Sequence, residues 1–206
     1  MPKVKVPRKS TVIDMTAMCD VASLLLTFFI LTATARQPEP LPVDTPSSTV
    51  KIKLPTTDIA TVTIGDGKVF FGVAGQPIRI RTLERMGERY HIQFTEQEKL
   101  RFSLMESFGV PIGQLKQLIA LNGEKRNKPG LQNGIPADSV GSNPSELREW
   151  IYNARYATKE IDEKELRITI KGDSEEEYPT VKKVIDILQS QEVNKFSLIT
   201  SLEGAE

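Results

Sequence analysis

Polar and apolar residues follow several distinct rhythms along this chain, and each rhythm predicts a different element. From Ala17 to Ala35, in AMCDVASLLLTFFILTATA, every position except Asp20 is apolar, small or hydroxylic. At about 1.5 Å of rise per residue such a helix spans roughly 28 Å, close to the ~30 Å hydrocarbon core of a bilayer. The helical pattern extends upstream to Ile13, so the expected transmembrane helix covers 13–35, behind a short tail at 1–12. RQPEPLPVDTPSS (Arg36–Ser48) follows, with prolines at 38, 40, 42 and 46. It predicts an extended linker of about 3.1 Å per residue, on the order of 40 Å in all. TVKIKLP (Thr49–Pro55) alternates apolar and charged positions and reads as a short strand stopped by Pro55.

Further on, IATVTIGDGKVFFG (Ile59–Gly72) places two β-branched or aromatic runs around Gly65-Asp66-Gly67, which predicts a β-hairpin. Three helices are expected next. The first covers about Arg79–Tyr90. The second opens on a Thr95–Glu98 capping box and ends at Gly109. The third has Pro111 in its first turn and Gly123 just past its end, with Leu115, Leu118 and Ile119 on one face. Asn122–Ser145, rich in Gly, Asn, Pro and Ser, reads as a mobile loop. Leu147, Trp150, Ile151 and Ala154 then fall at helical spacing within about Ser145–Thr158. At the C-terminus LRITIKG, YPTVKKVIDILQSQ and KFSLIT form a β-α-β unit over Leu166–Thr200, its helix turning Val181, Val184, Ile185 and Leu188 inward. The expected class is α+β: one N-terminal transmembrane helix, a linker over 36–50, and a mixed domain over 51–206.

Composition changes this picture little. Within 206 residues, Lys and Arg balance Asp and Glu at 27 each, so no excess of positive charge points to nucleic acid. Where the charges fall is more informative. Lys3, Lys5, Arg8 and Lys9 precede the apolar run with no acid among them. That bias keeps the N-terminus in the cytoplasm and exports the rest. Cys19, the one cysteine, lies inside the run, so no internal disulfide can form. The competing reading is a cleaved signal peptide, with Val21–Leu31 as its apolar core and Ala33–Ala35 as the cleavage site. Its n-region would be long and would end in an acid, which favours the anchor.

Asp20 is the residue that a mere anchor does not need. It lies roughly 5 Å inside the cytoplasmic end of the run. A carboxylate at membrane depth costs at least about 2.5–3.5 kcal/mol. Thr16, Ser23, Thr27 and Thr34 share its helix face, while Val21, Ala22, Leu25, Leu26 and Phe29 cover the other side. Hydrocarbon disfavours the charged form, which suits such a group to taking a proton from one side and giving it up to another. One helix cannot enclose that path, so a relay needs partners in the membrane.

IDMTAMCDVASLLLTFFILTA (Ile13–Ala33) resembles the membrane signature of the ExbD/TolR family of energy-transducing proteins, with Thr16 before the acid and Asp20-Val21 ahead of a Leu-rich run. KIKLP (Lys51–Pro55), VTIGDGKVFFG and the C-terminal β-α-β unit, with Tyr178 opening its helix, resemble that family's exported domain in the same order. Ala17 stands where many relatives have Pro and Asp14 where many have Asn, and residues from about 76 to 158 look like an insertion. The resemblance implies a proton-carrying subunit of an ExbB/ExbD-type inner-membrane motor. Asp20 would carry the proton, and Thr16, Ser23 and Thr27 would line the ion path or the helix interface. Two copies would sit within ExbB-like multi-span subunits and pass force to a TonB-like partner, with Leu54 and Pro55 as a docking strand. Alternatives are a TolR-like role in envelope maintenance and an anchored or secreted periplasmic binding module.

Enzymatic chemistry finds little support. His91 is the single histidine and has no Cys or acid cluster at ligand spacing, so neither a metal nor a cofactor is expected. Gly65-Asp66-Gly67 reads as a turn, and the acids of 173–177 as a solvated helix start. Lys125, Arg126 and Lys128 read as a diluted basic patch on the mobile loop.

Overall fold

The computed structural model describes residues 15–33, 40–48, 57–128, 130–139, 144–174, 176–199 and 201–202. The chain divides into two compact units, Met1–Gln37 and Pro38–Glu206. In the first, α1 (Met15–Thr32) has a mean hydropathy of 1.8 and buries none of its residues within the chain.

The second unit is built on a four-stranded mixed sheet in the order β3-β2-β4-β5. A separate short pair joins β1 (Ser47–Ser48) to β6 (Ser201–Leu202) in parallel. Strands β2 (Ile59–Gly65) and β3 (Lys68–Val73) form the expected hairpin, closed by Asp66 at φ 52° and Gly67 at φ 68°. Two left-handed residues in a two-residue turn match the twist of the flanking strands. β4 (Arg167–Gly172) runs parallel to β2, and β5 (Phe196–Ile199) runs parallel to β4. Between β4 and β5 the crossover helix α7 (Tyr178–Gln189) buries Val184 and Leu188, with Val181 and Ile185 packed against the same core.

Between β3 and β4 lie the remaining helices. α2 (Gln76–Tyr90) starts three residues earlier than its apolar spacing suggested, because Pro77 is accommodated in a first turn that needs no N–H donor. It closes on His91 in the left-handed conformation, φ 57°. α3 (Glu96–Ser103) has the expected reciprocal box: the Glu98 N–H donates to Thr95 Oγ1, and the Thr95 N–H donates to Glu98 Oε2 at 2.7 Å. It ends well before Gly109. Residues beyond Ser103 straighten because Phe108 exchanges backbone hydrogen bonds with Phe71 on the edge of β3, at 2.8 and 3.0 Å. α4 (Ile112–Ala120) buries Leu115, Leu118 and Ile119 as expected, but Gly123 opens the short α5 (Gly123–Arg126) instead of closing α4.

The stretch read as a mobile loop is largely stitched down. Gln132 is buried, accepts from the Gly109 N–H at 2.7 Å and donates to the Arg126 carbonyl at 3.1 Å. Arg126 is itself buried, which holds its pKa below the ordinary guanidinium value and removes it from the expected basic patch. α6 (Glu146–Asp162), capped by Ser145, runs four residues past the expected end and stops at Glu163, φ 54°. It lies against α2 and β3. Trp150 is fully buried there, with its ring centroid 4.7 Å from Phe108 and 6.2 Å from Phe102. The core-facing strand residues Ala60, Val62, Ile64, Phe71, Ile168 and Ile170 join these helices in one contiguous core.

Candidate functional site

On α1, steps of four, three and four residues place Thr16, Asp20, Ser23 and Thr27 within about 60° of the helix circumference. The stripe runs roughly 16 Å along the axis, with Asp20 about one turn from both Thr16 and Ser23. Asp20 is the one charged residue of the eighteen in the helix, and it is exposed within the chain. The Thr27 hydroxyl donates to the Leu24 carbonyl at 2.9 Å. Its proton is thereby committed to the backbone, and its free lone pairs face outward as acceptors for a water or a protonated carboxyl. Thr32, on the other side of the helix, makes the same kind of back-bond to the Phe28 carbonyl at 2.8 Å. The stripe can thus hold an ordered line of polar groups around one acid, provided something encloses it.

The structure brings those four residues together. Leu54 and Pro55 lie outside the described residues, as do the tail, Asp14 and all of TVKIKLP. His91 serves as the left-handed cap of α2, and among the described residues no group of three His, Cys, Asp or Glu side chains is placed to hold a metal ion.

Sequence reasoning missed the second face of the sheet. Thr61, Thr63, Gly65, Phe70 and Gly72 point away from the core, as their register with β4 requires. Thr61 and Thr169 meet there, their hydroxyl oxygens 3.1 Å apart. The Glu106 carbonyl and the Ser107 Cβ lie on Gly72, and Leu41 and Val43 lie on Gly65. Between these covers is an open cavity of about 210 Å³, lined among others by Leu41, Thr61, Thr63, Arg79, Glu106 and Lys171. Arg79 fastens one wall by donating to the carbonyls of Val73 and Ser103. Burial lowers its pKa, and the charge of Glu106 partly opposes that shift. The available signal was a pair of glycines inside strands, which commonly marks a close backbone approach.

One family description, Biopolymer transport protein ExbD/TolR, matches residues 7–203, nearly the whole chain. The chain belongs to the ExbD/TolR family. The match runs through the helix with its polar stripe and through the mixed sheet beyond it, so it covers much more than the short motifs that resemble the family. No curated protein and no solved structure matches this ExbD/TolR chain. Membership makes it a membrane-anchored subunit that energises biopolymer transport, with α1 fitting a single span. ExbD/TolR proteins are non-enzymatic motor subunits that work within membrane-associated complexes.

Proposed function

We propose that this chain is the proton-carrying subunit of an ExbB/ExbD-type inner-membrane motor, which uses the proton motive force to energise a TonB-like protein for outer-membrane transport. Asp20 carries the proton, and Thr16, Ser23 and Thr27 line its path or the interface with neighbouring helices. Two copies of the chain work within a set of ExbB-like multi-span subunits. Residues 1–12 lie in the cytoplasm, 13–35 span the membrane, 36–50 link, and 51–206 form a periplasmic domain elaborated at about 76–158. Leu54 and Pro55 dock the TonB-like partner.

One observation carries the reading: a single carboxylate, flanked on its own face by hydroxyls, sits in an apolar helix of a chain whose family energises transport. An ionisable residue inside a span costs several kcal/mol unless it is paired or hydrated, and it normally faces partners or a wet path. Asp20→Asn keeps the shape and removes the titration. The variant should still co-purify with its multi-span partner while transport driven by the proton motive force is lost. Full activity in the Asn variant would refute the assignment. Whether nutrient uptake or envelope integrity fails in that strain separates the ExbD-type from the TolR-type role. The intact mass of the membrane-bound chain tests the anchor itself, because loss of residues 1–35 would leave Asp20 no membrane to act in.

A further inference from the structure

The second face of the sheet carries polar groups that the fold itself does not use. Thr63 is 8% exposed, and among the described residues its hydroxyl has no hydrogen-bond partner. Buried polar groups normally have one. The hydroxyl is not sealed in, because among the described residues the fully enclosed polar side-chain atom that lacks a partner is Gln191 Oε1. It therefore opens onto the cavity of about 210 Å³ that Thr63 lines. Thr61 faces the same cavity in a different state. Thr169 Oγ1 donates to the Ala60 carbonyl, which commits its one proton, so Thr61 is the donor in the 3.1 Å contact between the two hydroxyls. Thr61 thus offers the cavity lone pairs alone, whereas Thr63 can both donate and accept.

The walls add charge of both signs. Arg79 donates through Nε to the Val73 carbonyl and through Nη1 to the Ser103 carbonyl. Its other N–H groups have no acceptor among the described residues. Val73 is paired with Ala60, so the guanidinium is fastened near the Thr61 end of the cavity. The Glu106 carboxylate stands on the same wall, near enough for its charge to act on Arg79. Lys171, in register with Thr63, adds a positive charge toward the other end. A plain anion would match the donors but meet the charge of Glu106. A plain amine would match the acceptors but meet Arg79. A molecule with a carboxylate and an ammonium a few bonds apart matches both.

We propose that this cavity binds a free α-amino acid, its carboxylate held by Arg79 and Thr63 and its ammonium by Thr61 and Glu106. Thr61 and Thr63 are roughly 7 Å apart along β2, a span that two hydrogen bonds and the short backbone of an amino acid can bridge. Size points the same way. Sites for drug-sized ligands measure roughly 300–1,000 Å³, and a cavity of about 210 Å³ suits a smaller molecule. The site uses neither the anchor nor Asp20, so it stands independently of the motor reading.

Threonine-methyl NMR on the full-length chain in detergent tests the site. L-alanine, L-aspartate and L-lysine are titrated separately into a buffer free of amino acids. At least one should move the Thr61, Thr63 and Thr169 methyl signals along a saturating curve and leave Thr95, which does not line the cavity, in place. No saturation with any of the three by about 10 mM would overturn the site. Propionate and ethylamine, the two halves of alanine, should each bind at least about tenfold more weakly than alanine. Propionate binding as tightly as alanine would make this a general anion site and refute the amino-acid assignment. Thr63→Val keeps the shape and removes the hydroxyl, and it should weaken the amino acid about fivefold. Where that variant disturbs the sheet, seen as collapsed methyl dispersion, Glu106→Gln on the exposed rim replaces it and should weaken binding as much. Wild-type affinity in the folded variant would refute the placement.

Discussion

Helices α1 and α6 are nearly the same length, 18 and 17 residues, and they solve opposite problems. α6 has an apolar stripe and a charged face, and it buries Leu147, Trp150, Ile151, Asn153, Ala154, Ala157 and Thr158 within its own unit. α1 is apolar nearly all round, buries nothing in the chain and, Thr32 apart, concentrates its polarity in one line around Asp20. On α6 the polar face meets water and the apolar face makes the fold. On α1 the apolar surface suits lipid, and the polar line is the feature left to recognise something specific. The folded unit thus draws its stability from packing inside the chain, while α1 finds none of its packing there.

The comparison breaks most sharply at Asp20. Asp20→Asn should abolish energised transport, a loss of at least about 100-fold, whereas Thr27→Val should cost far less, because the Thr27 proton already goes to its own backbone. Transport assays on both variants, normalised to membrane-inserted protein, check the ranking. Equal losses would mean that the whole stripe, and not the acid, is what matters.

On α6 the largest effect should come from Trp150→Ala, which empties the space against Phe102 and Phe108. The expected destabilisation is about 3–5 kcal/mol, read from chemical denaturation of the detergent-solubilised chain. A loss below about 1 kcal/mol would show that the cluster is not the centre of the core.

Glu146 sharpens the contrast between a structural acid and a functional one. It is half-buried, and its Oε1 accepts from the Ile112 N–H at 2.6 Å and from Trp150 Nε1 at 3.3 Å. Burial raises its pKa above 4.5, and the two donors partly oppose the rise. The folded state therefore holds the proton more tightly than the unfolded one, so this group's contribution to stability falls as pH climbs from about 4.5 through the raised value. Glu146→Gln should remove that slope, so the wild type gains on the variant as pH is lowered. Glu146→Leu should cost about 1–3 kcal/mol by stranding two buried donors. Denaturation midpoints measured from about pH 4 upward read both effects. Parallel curves for the wild type and the Gln variant would sink the assignment.

The smallest effect is expected at the α3 cap. Thr95→Ala removes the acceptor for the Glu98 N–H and should cost about 1 kcal/mol, with no change in transport.

Local physics made much of this chain legible before its structure. An apolar run of bilayer length, an Asp-Gly turn between β-branched runs and a Thr–Glu capping box each owe their form to residues close in sequence. So does the polar stripe of α1, because helical geometry alone aligns Thr16, Asp20, Ser23 and Thr27. Contacts between distant residues were not legible. α3 ends at Ser103 because Phe108 finds the edge of β3, more than thirty residues back. Arg126 is buried because Gln132 ties its carbonyl toward Gly109, although the surrounding Gly, Asn and Pro residues signal only turns. Leu41 and Val43 settle on Gly65 because a strand glycine leaves room for them, which no property of the linker itself announces. Short-range preferences are written in neighbouring residues, whereas the pairing of an edge strand, the burial of an arginine and the seating of Leu41 and Val43 depend on which surfaces the finished sheet brings together.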